Sequence, residues 1–127
     1  MARRAEPITV LVVDDDYETR TIYHAYLAQA GCRVRTANDG QDAIEKAMRW
    51  TPDVIVMDLA MPRMDGWTAS KWIKTTPATK HIPIIALSDV QMARNEARAA
   101  GCDAYLAKPC LPDMLWWEIR ALLRPQV

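Results

Sequence analysis

Asp14-Asp15-Asp16, Asp58, Ser88-Asp89 and Lys108-Pro109 are the residues of this 127-residue chain best suited to chemistry. Each group directly follows a short apolar run. If those runs are strands of one sheet, the polar groups converge at their carboxyl ends, where open parallel sheets bind ligands. Carboxylates crowded there repel. Two unit charges at ~4 Å cost ~1 kcal/mol in water and ~4 kcal/mol at an effective dielectric near 20. A hard divalent cation offsets this, and carboxylate and carbonyl oxygens select Mg²⁺. Lys108 brings a second positive charge. A metal and a lysine around a carboxylate suit a phosphoryl group, whose transfer depends on positioning and charge neutralisation.

The elements that must position these groups are readable. Ile8–Val13, Asp53–Met57 and Ile82–Leu87 are continuous apolar runs, the mark of strands buried on both faces. Arg33–Ala37 and Ala104–Ala107 are weaker strand candidates. Ile22, Tyr23, Tyr26, Leu27 and Ala30 recur at helical spacing, with Gly31 placed to end the helix. Ala43, Ile44, Ala47 and Met48 repeat the pattern before Pro52. Residues 66–75, 91–100 and 112–123 complete five helices, Gly101 ending the fourth. Strands alternating with helices predict a parallel sheet covered on both faces, and right-handed crossovers make it a doubly wound α/β fold.

The length supports one domain, residues 1–127 with a core over 8–123. Sixteen Lys and Arg balance sixteen Asp and Glu, which argues against a nucleic-acid binder relying on a broad basic surface. The acids gather at one edge of the sheet, while most bases read as scattered over helices and loops. No run approaches the ~20 apolar residues of a membrane span, and the start lacks the long apolar run of a signal peptide. Cys32, Cys102 and Cys110 form no CxxC pair and read as small buried hydrophobes in a reduced, cytoplasmic compartment. His24 and His81 read as surface residues.

Val12-Val13-Asp14-Asp15, Val56-Met57-Asp58-Leu-Ala-Met61-Pro62-Arg-Met-Asp65-Gly66, Ala86-Leu87-Ser88 and Tyr105-Leu-Ala-Lys108-Pro109 together resemble the receiver domain of two-component response regulators, of the CheY-like, single-domain kind. The order and spacing match along residues 8–123. The resemblance implies a flavodoxin-like sheet of order 2-1-3-4-5. It implies that Asp58 is the phosphoacceptor, attacking a phosphohistidine of a sensor histidine kinase or histidine phosphotransfer protein. Asp15 and Asp58 would bind Mg²⁺ directly, Asp14 through water, and the Ala60 carbonyl would add a ligand. Lys108 would pair with the phosphoryl oxygens. Ser88 would move toward them, and Tyr105 would change rotamer in step. The signal would reach a downstream protein through the face formed by the fourth helix, fifth strand and fifth helix. A cis Lys108-Pro109 bond is also implied.

By the same resemblance the chain is a phosphoacceptor with self-catalysed phosphotransfer and autodephosphorylation, not an enzyme. It works in the cytoplasm and contacts neither nucleic acid nor membrane; a phosphorylation-dependent homodimer remains open. The alternatives are a phosphorylation-independent interaction module on the same fold and a receiver excised from a larger regulator. Two positions depart from the family pattern. Asp89 stands where a small residue normally follows the switch hydroxyl, and Ala60 offers no side chain to the phosphoryl group. Asp16 reads as a helix cap. On the last helix, Leu111, Leu115, Ile119 and Leu122 define the core stripe, Trp116 flanks it, and Trp117 points outward. Trp117 either folds against neighbouring aliphatic stems or belongs to a docking or dimer surface.

Overall fold

The computed structural model describes residues 6–59, 61, 65–88 and 93–124, with Ala93 described by its backbone alone. Five strands alternate with five helices: β1 Thr9–Val13, α1 Tyr17–Gln29, β2 Arg33–Ala37, α2 Gly40–Trp50, β3 Val54–Asp58, α3 Gly66–Thr75, β4 Ile84–Ser88, α4 Ala93–Ala99, β5 Ala104–Ala107 and α5 Pro112–Leu122. The sheet is all parallel, in the order β2-β1-β3-β4-β5. The α/β class and the strand order are as expected.

The continuous apolar runs are explained by burial on both faces. In β1, Leu11 and Val13 enter one core with Ile55 and Met57 of β3 and Ile84 and Ala86 of β4. Val10 and Val12 enter the opposite core with Val54, Val56, Ile85 and Leu87. Ala43, Ile44 and Ala47 of α2, Ala69 and Ile73 of α3 and Ala97 of α4 cover the first face. Tyr23 and Leu27 of α1 and Leu115 and Ile119 of α5 cover the second. Edge strand β2 exposes Arg33 and Arg35, the kind of charge that blunts an edge against foreign strands.

The helices narrow some expected stripes. In α1 only Tyr23 and Leu27 are buried, while Ile22, Tyr26 and Ala30 are exposed. A helix lying on one sheet face buries its i, i+4 pair and leaves the flanks to whatever neighbour covers them. Met48 of α2 is exposed for the same reason. Leu111 is 62% exposed because it is the cap residue before Pro112, outside the helical turn. β4 begins at Ile84, not Ile82, because Ile82 still closes the preceding turn onto the Thr79 carbonyl and Pro83 has no N–H.

The bases are less scattered than the sequence suggests. Arg49, Lys74, Arg98 and Arg120 stand in the last turns of α2, α3, α4 and α5, whereas Glu18, Asp42, Glu96 and Asp113 stand in first turns. Every helix runs opposite to the strands, so first turns lie at the carboxyl end of the sheet and last turns at the other. Acids at helix N-termini and bases at C-termini complement the helix dipoles, and parallel topology adds these local choices into two charged poles.

Candidate active site

Asp14 lies one residue past β1 and is 1% exposed. Its N–H donates to the Ala37 carbonyl (3.1 Å), and its own carbonyl accepts from Arg20 Nη1 (2.7 Å). Its Oδ1 accepts from the Asp16 N–H (2.9 Å), which aims the side chain across the sheet end. Asp15 is exposed. Asp16 is the N-cap of α1, its Oδ2 accepting from Thr19 N–H (3.0 Å) and Thr19 Oγ1 (2.6 Å). Those two bonds, the hydroxyl first, hold its pKa below the ordinary carboxylate value. Asp16 therefore caps, as expected.

Asp58 is the last residue of β3 and is 4% exposed. Carboxylate oxygens of Asp14, Asp15 and Asp58 lie within 4.8 Å of one another. Lys108 reaches this cluster from the end of β5: its Nζ is 3.1 Å from Asp14 Oδ2 and 3.5 Å from Asp58 Oδ1. Burial alone would lower the lysine's pKa, but the Asp58 and Asp14 charges outweigh it and raise it. The ammonium stays charged and offsets part of the carboxylate repulsion. Three carboxylates this close, two of them buried, match the oxygen-donor set of a hard divalent cation.

Ser88 closes β4 and is buried, and its carbonyl accepts from Lys108 N–H (2.9 Å). Tyr105 is half-buried on β5, packed against the α2–α3–α4 core with the Arg94 guanidinium 5.3 Å over its ring. The Lys108-Pro109 bond is cis, as expected. The Ala60 carbonyl and Asp89 lie outside the described residues. Trp117 is 62% exposed, beside Ile8, Arg120 and Arg124. Cys32 and Cys110 are buried and Cys102 half-buried; burial raises all three thiol pKa values, which disfavours the reactive thiolate. His24 and His81 are exposed, as expected.

Several residues that shape the site were not assigned to it from the sequence. Gly66 packs directly on the backbone of Asp58 and Leu59. Arg20 and Tyr23 of α1 tie down the Asp14 and Cys110 carbonyls, the second bond being 2.7 Å and buried. Their i, i+3 spacing was a visible signal; which loops they would meet was not. A groove of about 550 Å³, lined by Ile22, Tyr23, Lys108, Pro109, Cys110 and Leu111 among others, opens beside the site.

Among the described residues no helix is long and apolar enough to cross a membrane. The family model of the response regulator receiver domain matches residues 10–120. Protein PilG of Pseudomonas aeruginosa is 36% identical over 123 residues, 95% of this chain and 91% of that protein. Several other curated relatives are longer, and the chain spans 14% to 51% of their length. The chemotaxis response regulator CheY4 of Vibrio cholerae superposes with a TM-score of 0.86 at 33% identity, covering 92% of this chain and 99% of that one. The receiver domain of sensor histidine kinase PA1611 from Pseudomonas aeruginosa, with a magnesium ion coordinated in its active site cleft, gives 0.83 at 32% identity, covering 91% and 96%. With its doubly wound sheet and its aspartates and lysine at the strand ends, this chain belongs to the receiver domain family of response regulators.

Proposed function

We propose that the chain accepts a phosphoryl group on Asp58 from the phosphohistidine of a sensor histidine kinase or histidine phosphotransfer protein, in a Mg²⁺-dependent reaction. The observation that carries this reading is the ammonium of Lys108 between Asp14 and Asp58, with Asp15 completing the carboxylate cluster. An Asp58 oxygen attacks phosphorus. The P–N bond breaks, its electron pair returns to the imidazole nitrogen, water supplies a proton there, and an acyl phosphate remains on Asp58. Asp14, Asp15 and Asp58 are the residues to hold Mg²⁺, which when bound neutralises phosphoryl charge. Lys108 turns from Asp58 to a phosphoryl oxygen, and Ser88 donates its hydroxyl to another. The chain catalyses its own phosphorylation and dephosphorylation; it is not a turnover enzyme.

The apolar groove beside Lys108 suits the donor's docking, because a donor must bring its histidine to the same edge of the sheet. The output reading runs through Tyr105 on the α4-β5-α5 face to a downstream protein or a second copy, with Trp117 as an anchor on α5. Such signalling belongs in the cytoplasm, where the kinase's donor histidine resides. Phosphotransfer from a panel of purified histidine kinases, followed by mass spectrometry, tests the reading. The wild type takes up one phosphoryl group and Asp58→Asn takes up none; equal uptake by the two proteins overturns the assignment.

A further inference from the structure

The site depends on a distance between two loops that share no covalent neighbour. Asp14 sits in the loop after β1 and Lys108 at the start of the loop after β5, 94 residues apart in sequence. β1 and β5 are not paired, since β3 and β4 lie between them. The sheet alone therefore sets the Asp14–Lys108 separation only through two intervening strands.

Helix α1 spans this gap. Arg20 Nη1 donates to the Asp14 carbonyl at 2.7 Å. Three residues on, Tyr23 Oη donates to the Cys110 carbonyl at 2.7 Å. The two side chains share one face of the helix. Tyr23 is 5% exposed, and its ring belongs to the same core as Cys110, Leu115 and Ile119. Lys108 N–H is held by the Ser88 carbonyl, but the next residue, Pro109, has no N–H to bond. The Tyr23 hydroxyl thus grips the backbone two residues past the lysine, where the chain has already left the sheet.

We propose that Tyr23 is a positioning residue for phosphotransfer: by holding the Cys110 carbonyl against α1, it keeps the Lys108 ammonium between Asp14 and Asp58. Arg20 fixes the other side of the same gap. This rests on the phosphoacceptor reading and adds to it a residue that touches neither phosphoryl group nor metal. In Tyr23→Phe the ring still fills the core and only the grip is lost. Lys108 then samples more positions, and fewer encounters find its charge in place.

The test uses the whole chain with Mg²⁺ and acetyl phosphate, a donor too small to need a docking groove, so that loss of partner contacts at Tyr23 is not read by mistake. Tyr23→Phe is expected to slow phosphorylation about fivefold, the rate equivalent of one neutral hydrogen bond. Mg²⁺ affinity, read by tryptophan fluorescence, stays within about twofold, because the carboxylates do not move. In a Lys108→Ala background the same change has no further effect, since the residue it acts through is gone. An unchanged rate in Tyr23→Phe, or an equal loss in both backgrounds, overturns the inference. If Tyr23→Phe is less stable, the ¹⁵N resonance of the Lys108 ammonium in its folded fraction decides: a shift supports the grip, and an unmoved signal refutes it. A wild type that takes up no phosphoryl group from acetyl phosphate overturns the phosphoacceptor reading itself.

Discussion

Gly66 lies against Asp58 so closely that a Cβ built on it would stand 2.1 Å from the Asp58 carbonyl oxygen and 2.7 Å from the Leu59 Cα. The Gly66 N–H also donates to the Leu59 carbonyl at 3.1 Å. The first residue of α3 thus forms the wall behind the candidate phosphoacceptor. Asp65 caps this helix, its Oδ1 accepting from Thr68 N–H at 2.8 Å.

Gly66→Ala must therefore push backbone, which has nowhere flexible to yield. Overpacking of this kind costs typically ~1–3 kcal/mol. The expected result is a lower urea midpoint with unchanged m-value, and slower phosphorylation because Asp58 shifts. Gly31→Ala is the contrast: its φ of +101° makes it strained, but nothing lies within 4 Å and the site is untouched. It should lose stability by about 1 kcal/mol and keep its phosphorylation rate.

Asp15 is exposed, yet its carboxylate stands within 4.8 Å of two buried ones. Without Mg²⁺ it contributes repulsion of about 1 kcal/mol at most, given its solvent screening. Asp15→Asn should raise the melting temperature slightly in EDTA and lower it relative to wild type in excess Mg²⁺. Thermal scans in the two buffers show whether the order of stabilities inverts; the same order in both removes Asp15 from the metal site.

The Tyr23 phenol is pushed up to about 12, by burial first and then by the negative charges of Cys110, Asp14 and Asp58 at high pH. The unfolded phenol ionises near 10. The folded state holds the proton longer, so this contribution is complete below pH 10 and fades as pH rises toward 12. It amounts to about 3 kcal/mol, two pKa units at 1.36 kcal/mol each. Urea melts between pH 9 and 12 should show that loss in the wild type and a flatter profile in Tyr23→Phe.

Thr51 ends α2 in the left-handed region, with φ of 43°, while its N–H still bonds the Ala47 carbonyl. A β-branched residue is costly there, and glycine is the usual occupant. Thr51→Gly should stabilise the domain by about 1 kcal/mol, with no effect on Mg²⁺ binding or phosphorylation. Chemical denaturation reads this directly.

Most of the architecture was legible because its causes are local or periodic. Val10 to Val13, Val54 to Met57 and Ile84 to Leu87 are apolar without interruption, and only burial on both faces of a parallel sheet makes sense of that. Asp14, Asp58 and Ser88 each follow such a run and Lys108 follows the weaker, half-buried strand Ala104–Ala107, so their meeting at one edge followed from the alternation of strands and helices. Element ends were less clear. Ile82 is apolar and buried, but Pro83 keeps it out of the ladder, and Leu111 fits the α5 spacing yet stands before the first turn.

What the sequence by itself determined is the class of site: carboxylates, a hydroxyl and an ammonium at strand ends, since residue type and strand alternation are written in one dimension. The tertiary structure alone decided which groups hold those side chains in place. Gly66 behind Asp58, Arg20 on the Asp14 carbonyl and Tyr23 on the Cys110 carbonyl join segments whose approach depends on packing across the sheet. Charge followed the same division. The balanced sum of sixteen and sixteen and the gathering of acids at one sheet edge were readable, but the collection of Arg49, Lys74, Arg98 and Arg120 at the opposite end arises only when the helices point the same way.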